Sequence, residues 1–447
     1  MKEREGFSSK LGFVLAAAGS AVGLGNIWRF PYLTAKYGGG IFLLVYLILV
    51  LTFGYSIMSL EIAIGRKTKQ SPVGAYSRFG KKYAWVGWLT VIIPFLISGY
   101  YSVIGGWVLK YLMVYIQNLT VSAANSDFFT EFTSKPIEPI IYQAVFIALS
   151  AIILVAGVKS GVERASKVLM PILVVLSIAI ALYVLTLPGA MEGVKYVLIP
   201  DFSNFGFQTI VGALGQMFYS MSLAMGIMIT FGSYLGKSDD IEKSVRNVEI
   251  FDTAIAIIAT FMIVPAVFAL DKSQLNQGAG LMFITLPKVF NQIPFGAVVG
   301  GEFFVLVAFA ALTSYISIQE VLISSVCDLF KMKRVYAVII CVVASCLLGI
   351  PASLGFGVWD GVTFFGYSIL DFVDMIANSF LLPIAALVTC IIFGWLVGLK
   401  PIRDEIELSS AFRRKRIFNV IIKYVGPVFL AIIVLTNILQ ILGIVSI

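Results

Sequence analysis

The sequence predicts an all-α polytopic membrane protein of eleven spans, and three observations predict it. Composition comes first: 59% of the 447 residues are hydrophobic and only 13% are charged. The mean hydropathy is +0.97, and such a chain has too little polar surface to cover a soluble domain. Second, apolar stretches recur at lengths that cross a hydrocarbon core, for which about 20 residues suffice. They fall at 11–36, 40–65, 84–117, 140–157, 165–187, 206–235, 241–270, 295–328, 333–353, 364–396 and 417–443. Third, the basic residues are placed asymmetrically. Of 32 Lys and Arg residues, all but Arg29, Lys36, Lys110, Lys135, Lys195, Lys272 and Lys288 lie in the N-terminal tail or at the even-numbered connections. The positive-inside rule then puts the N-terminus in the cytoplasm of a cell-membrane protein, and eleven crossings put the C-terminus outside. Met1 to Lys10 is charged and runs straight into a full span, so no cleavable signal peptide is expected.

The basic clusters, Arg66 to Lys82 and Arg413 to Arg416, read as topology signals and lipid-headgroup contacts, not as nucleic-acid sites. Cys327, Cys341, Cys346 and Cys390 lie in or beside spans without metal-ligand spacing and read as packing residues. Histidine is absent, which removes the commonest metal ligand and the usual proton relay near neutral pH.

Span one carries Gly19-Ser20-Ala21-Val22-Gly23-Leu24-Gly25-Asn26 at its middle. Each glycine costs a helix interior about 1 kcal/mol relative to alanine. Backbone groups freed inside hydrocarbon have no water to bond, so a break there must face protein or a wet cavity. Glycines alone also fit tight packing against another helix; the polar residues that follow favour a broken helix with a ligand at the break. Several spans are too long for a bare bilayer and must tilt or project. The longer outer loops are 118–139 and 271–294; the second holds Gly278-Ala279-Gly280 and an amphipathic stretch, Leu281 to Phe290, expected as a short helix over the outer mouth. Span six repeats the oddity of span one. Gln216, Ser220 and Ser222 precede Ala224-Met225-Gly226 near its middle. Two interrupted spans five apart suggest inverted five-helix repeats, 11–187 and 206–396, with 417–443 as an added helix of one transmembrane domain, 1–447. The halves share no detectable sequence identity, so placement alone carries the repeat.

Other polar residues inside spans narrow the chemistry. Asp252 is an acid early in span seven, and intramembrane acids are usually paired or face a cavity. Ala310, Thr313 and Ser314 share one helix face, although Thr and Ser hydroxyls also bond back to the preceding turn. Of the adjacent Tyr100 and Tyr101, one must point inward. Arg29 and Asp374 lie toward the outer ends of spans one and ten and are placed to pair; Glu61 near the inner end of span two reads as a local cap or partner.

At this point the residues resemble a family. Gly19 to Asn26, with Ile27-Trp28-Arg29-Phe30-Pro31-Tyr32 and Tyr37-Gly38-Gly39-Gly40, is similar to the first-helix signature of the neurotransmitter:sodium symporters. The similarity continues through Leu60 to Arg66, Tyr100-Tyr101, Gln216 to Gly226, Phe283-Ile284-Thr285-Leu286-Pro287 and Ala310 to Ser314. The absence of a twelfth helix resembles the short bacterial amino-acid branch. The resemblance implies a leucine-transporter-like 5+5 inverted repeat with broken helices one and six plus an eleventh helix.

It also implies a site. One sodium ion would take oxygens from Ala21, Asn26, Ser220, Asp252 and the substrate carboxylate. A second would take the carbonyls of Gly19, Val22 and Ala310 with the hydroxyls of Thr313 and Ser314. The carboxylate would be held by the Leu24 and Gly25 N–H groups and the Tyr101 hydroxyl, consistent with the donors and positive dipole of a half-helix N-terminus. Ile97, Tyr101, Tyr219, Ser222, Met225, Ser314 and Ile318 would face the substrate side chain, with Ala21, Gly23 and Ser220 completing the pocket. Ser20 stands where some members have Asn. Gly23 stands where monoamine carriers place an aspartate, which implies amino acids as cargo. Asp252 stands where the family usually has Asn; a fixed carboxylate there implies transport without chloride. Ala224 in place of a frequent Gly is expected to restrict unwinding of span six. Arg29 with Asp374, under Tyr101 and Tyr219, would close the outside. Arg4 with Asp328, helped by Tyr234 and with Phe7 in place of a common Trp, would close the inside. Gly161 and Pro171 have the spacing at which members unwind span five.

The expected function is therefore sodium-coupled symport of hydrophobic L-amino acids by alternating access, with two Na+ ions and no enzymatic chemistry, nucleic acid or obligate protein partner. Proton coupling through Asp252 or Glu61, and a non-transporting sensor or channel of the same fold, are the alternatives.

Overall fold

The computed structural model describes residues 6–269 and 280–441. It is a helical bundle in which, among the described residues, nine helices are long and apolar enough to cross a membrane. They are Gly40–Thr68 (span two), Lys81–Ile116 (three), Glu138–Val155 (four), Val158–Val184 (five), Ile241–Phe268 (seven), Gly296–Phe330 (eight), Arg334–Leu354 (nine), Ile369–Leu396 (ten) and Lys415–Leu439 (eleven). Span one is a bent pair, Lys10–Ala21 and Gly25–Lys36, whose axes differ by 55°. Span six is likewise two helices, Phe207–Ser220 and Ile227–Ser233. Helices therefore lie at all eleven expected positions, and ten of them, with the bent pair counted as one, are long and apolar enough to span; the halves of span six are shorter. Gly278, Ala279 and Lys272 lie outside the described residues.

Lipid tails are as apolar as leucine, so burial here separates protein-facing from lipid-facing helices. Spans four, five and eleven turn most of their apolar residues outward, as Ile152, Val175, Leu182 and Val428 show. Spans two and three bury most of theirs. Span three packs along span eight; the first half of span one lies against spans seven, eight and five, its second half against span seven, and the second half of span six against span two. The centre is tied by polar links: Ser98 to Ser345 at 2.7 Å, and Gln319 Nε2 donating to Tyr315 at 2.8 Å and to Ser345 at 2.7 Å. Without water to compete, such bonds fix helices against each other.

The loops hold more structure than expected. Leu281–Thr285 and Leu286–Gln292 form the short helix anticipated at one mouth of the bundle, where the Tyr111 hydroxyl donates to the Phe283 carbonyl at 2.6 Å. The connection between spans five and six holds a further helix, Ala190–Leu198. At the opposite end, where the basic loops gather, Pro72–Phe79 and Lys400–Glu407 are short helices too. Arg66 is buried there and bonds Glu405 Oε1 at 2.8 Å, the Asp239 carbonyl at 2.6 Å and Ser409 at 3.0 Å. Spans four and five are joined by Ala156 and Gly157 alone; Gly157 takes φ 95°, a turn that excludes side chains. Span five then opens with the wide turn Val158–Glu163 around Gly161, and Pro171 sits inside its helix.

Candidate binding site

Span one stops at Ala21 because Val22 turns extended, with ψ 95°, and helix resumes at Gly25. The glycines make the break possible by close approach. A Cβ on Gly23 would lie 2.4 Å from Ser314 Oγ and 3.0 Å from the Tyr101 hydroxyl; one on Gly25 would lie 2.7 Å from the Tyr219 ring. Span six breaks differently. Ser222, Ala224 and Gly226 all take left-handed backbone, with φ 54°, 60° and 72°. Left-handed backbone costs an L-residue about 1–2 kcal/mol, so other contacts must hold it. Glu61 Oε1 accepts the Ala224 N–H at 3.1 Å. Glu61 is thus a partner across helices and not a local cap, and Ala224 has not kept span six wound: the acid on span two stabilises the unwound turn.

The two breaks meet. Ser222 Oγ donates to the Ser20 carbonyl at 3.0 Å, and Ser20 Oγ donates to Ser222 Oγ at 3.1 Å. Above them, Gln216 Nε2 donates to the Gly25 carbonyl at 2.9 Å. Between the breaks lies a narrow cavity of about 20 Å³, room for about one water by the usual measure. Its walls comprise every residue expected around a substrate: Ala21, Gly23, Leu24, Gly25, Ile97, Tyr101, Tyr219, Ser220, Ser222, Met225, Ser314 and Ile318. Ser20 lines it as well, which the sequence reading did not assign. One end is polar: the Leu24 N–H donates to the Tyr101 hydroxyl at 3.3 Å, so two potential donors meet at one point. The other is apolar, made by Ile97, Met225 and Ile318, all buried.

The oxygens expected around cations also converge. Ser314 Oγ lies 3.3, 3.1 and 3.3 Å from the carbonyl oxygens of Gly19, Ser20 and Val22. One hydroxyl proton cannot satisfy three acceptors, so this cluster has a surplus of lone pairs that suits a hard monovalent cation. Thr313 precedes Ser314 in span eight, its hydroxyl 3.1 Å from the Ala310 carbonyl, and its Cβ faces Gly19. At the other cluster, Asp252 Oδ1 accepts from Asn26 Nδ2 and Ser220 Oγ, both at 2.7 Å, and Oδ2 accepts from Tyr46 at 3.0 Å. Asn26 Oδ1 meanwhile accepts the Gly23 N–H at 3.2 Å. Hydrogen bonds hold this second cluster together, and Asn26 must turn its oxygen to serve a cation there. Tyr46 was not expected; an aromatic on an apolar span gives no sign of a distant acid.

The gate residues fall at both ends of the cavity. Arg29 and Asp374 face one vestibule of about 270 Å³, but they do not pair. Arg29 stacks over the Tyr219 ring at 5.2 Å, and Asp374 Oδ1 accepts from Asn378 at 2.7 Å. The Asn378 amide also donates to Tyr100 at 2.9 Å, which gives the second tyrosine of the pair its place. Each charge thus has a nearer partner than the other. At the opposite end Arg4 lies outside the described residues. Asp328 accepts the Ser71 N–H at 2.8 Å, and Phe7 packs edge-on against Phe13, Phe231 and Tyr234. The Tyr234 hydroxyl donates to Glu320 at 2.7 Å, and Glu320 pairs with Arg334 at 2.5 Å. Glu320 is an acid inside an apolar span, a signal readable in the sequence. Glu163 is another: its carboxylate takes Ser8 N–H at 2.7 Å, Ser8 Oγ at 2.5 Å and Lys167 at 2.6 Å, anchoring the start of span one to span five.

A bundle whose two broken spans enclose one small cavity, with oxygen clusters beside it, is the architecture of a membrane transporter, not of an enzyme. The comparisons agree. A model of the sodium:neurotransmitter symporter family matches residues 4–139 and 137–445. An uncharacterised sodium-dependent transporter of Bacillus subtilis, YhdH, is 34% identical across 98% of both chains. One of Methanocaldococcus jannaschii is 35% identical over 97% of this chain and 90% of its own. A sodium- and chloride-dependent glycine transporter 2 of Xenopus laevis is 26% identical over 97% of this chain and 64% of its own. Among solved structures, MhsT in complex with L-phenylalanine matches with a TM-score of 0.89 and 40% identity, covering 97% of this chain and all of that one. The chain belongs to the sodium:neurotransmitter symporter family and is a multi-pass, sodium-dependent transporter.

Proposed function

We propose that the protein imports hydrophobic L-amino acids, aliphatic and aromatic, together with two sodium ions. The observation that carries this reading is the two-ended cavity at the meeting of the breaks. Its polar end, the Leu24 N–H and Tyr101 hydroxyl, suits an α-carboxylate, and its apolar end, Ile97, Met225 and Ile318, suits an uncharged side chain. The similarity to a phenylalanine complex supports the same class of cargo. Met225 adapts to varied shapes, and an apolar pocket separates neighbours differing by one methylene by only about 1–3 kcal/mol, so several substrates compete. No aspartate stands at Gly23 to take a substrate amine, and a Cβ there has no room; monoamines are excluded.

One sodium ion sits with Ala21, Asn26, Ser220, Asp252 and the substrate carboxylate, so ion and substrate raise each other's affinity. The other sits with Gly19, Val22, Ala310, Thr313 and Ser314, tying span one to span eight and favouring the outward-open state. Asp252 supplies the fixed negative charge that chloride supplies elsewhere, so transport runs without chloride. The basic end faces the cytoplasm. Arg29 and Asp374 approach when the outer vestibule closes; Arg4, Asp328 and Tyr234 close the inner side.

The deciding experiment is uptake of an amino-acid panel into proteoliposomes. Leucine and phenylalanine accumulate under a sodium gradient and not under a proton gradient in choline buffer. Accumulation driven by protons alone, or sodium-dependent binding without accumulation, overturns the reading. Replacing chloride with gluconate leaves uptake unchanged, whereas Asp252→Asn makes it depend on chloride; a large loss for the unmodified protein in gluconate overturns the chloride reading alone.

A further inference from the structure

We propose that the basic end of span seven carries a binding site for the phosphate headgroup of an anionic lipid, with the first turn of span one as its other wall. Two adjoining hollows of about 380 and 400 Å³ meet there and share Asp240 and Lys243. Lys243, Arg246 and Arg413 line the first, and Lys10 with Lys243 the second. All four cations are exposed, and among the described residues none has an acid within ion-pair distance.

The acids nearby are already engaged. Asp240 caps the Lys243 N–H at 2.9 Å and accepts Ser410 Oγ at 2.8 Å. Glu242 accepts the Arg413 N–H at 2.7 Å. Glu249, within electrostatic reach of Arg246, is paired with Arg414 at 3.1 Å, and that guanidinium stacks over Tyr55 at 4.5 Å. Arg414 balances Glu249, while Asp240 and Glu242 are held in place by neutral donors and keep their charge; against these two carboxylates stand Lys10, Lys243, Arg246 and Arg413, so the rim of the hollows stays net positive.

Below the cations the wall turns apolar. Lys243, Asn247 and Phe251 follow one another by four residues down one face of span seven. They line the second hollow with Leu11 and Val14 of span one. Leu11 is 59% exposed, as is Ile250 one turn below Arg246. Cations at the helix end over an apolar floor match a lipid: phosphate above, acyl chain below. Soluble phosphate would use the upper half only. Basic pockets between spans on the cytoplasmic side suit anionic headgroups. The inference rests on the orientation proposed above for its biological setting, but the test below does not, because both faces of a solubilised protein are accessible.

The test is native mass spectrometry of the purified full chain in detergent, titrated with phosphatidylglycerol or phosphatidylcholine. Phosphatidylglycerol is retained at least tenfold better. One cation beside an anionic headgroup contributes about fivefold, so Lys243→Gln/Arg246→Gln, at exposed positions, lowers retention by roughly 25-fold. Lys81→Gln/Lys82→Gln, a basic pair elsewhere on the same end, leaves it unchanged. Equal retention of the two lipids, or a preference that survives Lys243→Gln/Arg246→Gln, overturns the site. Displacement of phosphatidylglycerol by millimolar inorganic phosphate would show a free-anion site and overturn the lipid assignment.

Discussion

The two interrupted spans solve one problem in opposite ways. Span one breaks where glycines permit it: at Gly23 and Gly25 the neighbouring side chains occupy the space a Cβ would need. Span six breaks where partners force it: Ser222 and Ala224 sit in left-handed backbone that their own side chains disfavour. Glu61 on span two and Ser20 on span one provide the compensating bonds. The first break carries a local mark in the sequence, its glycines, whereas the second is held by its partners in space. Sodium-driven uptake and thermal stability should therefore respond differently at the two.

The largest effect is expected in span one. Gly23→Ala drives a methyl into Ser314 and Tyr101. Overpacking costs about 1–3 kcal/mol, and here it falls on both the cavity and the oxygen cluster, so uptake drops by roughly tenfold or more with the fold intact by circular dichroism. Wild-type uptake would break the idea that close approach, and not flexibility, explains this glycine. Next comes Glu61. Glu61→Ala leaves the buried Ala224 N–H without its acceptor, at about 1–3 kcal/mol, and lowers the thermal midpoint. Glu61→Gln keeps an amide oxygen in place and loses less than half as much. Equal losses would mean that the charge, not the bond, matters. Ser222→Ala removes the bonds to Ser20, worth about 0.5–1.5 kcal/mol each, and loosens one break against the other; a raised substrate KM in uptake assays is the readout. The smallest effect is a gain. Ala224→Gly relieves about 1–2 kcal/mol of left-handed strain and returns about 0.4–1 kcal/mol through the freer unfolded chain. The net is a slight stabilisation in a thermal-shift assay, and destabilisation would sharpen the contrast the other way.

Legibility in the sequence follows the same division. Span one could be read because three glycines and Asn26 are contiguous, and the spans because apolar runs and basic loops are local patterns. The pocket residues could be placed through their resemblance to family motifs at ordered spacing, and all twelve surround one cavity. What escaped is what depends on distant partners. Tyr46 bonds an acid 206 residues away, and Glu61 an amide 163 away. Arg29 and Asp374 look complementary along the chain, yet Tyr219 and Asn378 lie nearer to them in space. Glu320 and Glu163 were visible as acids in apolar surroundings; their cationic partners Arg334 and Lys167 were visible too, but nothing in their spacing singled them out from other basic residues at the helix ends.

Ser314, which reaches the Gly19 carbonyl, lies 295 residues further along the chain. A ribosome adding about 5–20 residues per second takes roughly 15–60 s to cover that distance. For all that time the first interrupted helix has left the exit tunnel while its distant hydroxyl partner is still unmade. Newly made span one must therefore wait beside the insertion machinery or in a hydrated niche, and a nascent chain arrested before residue 314 should remain crosslinkable to that machinery through its first span.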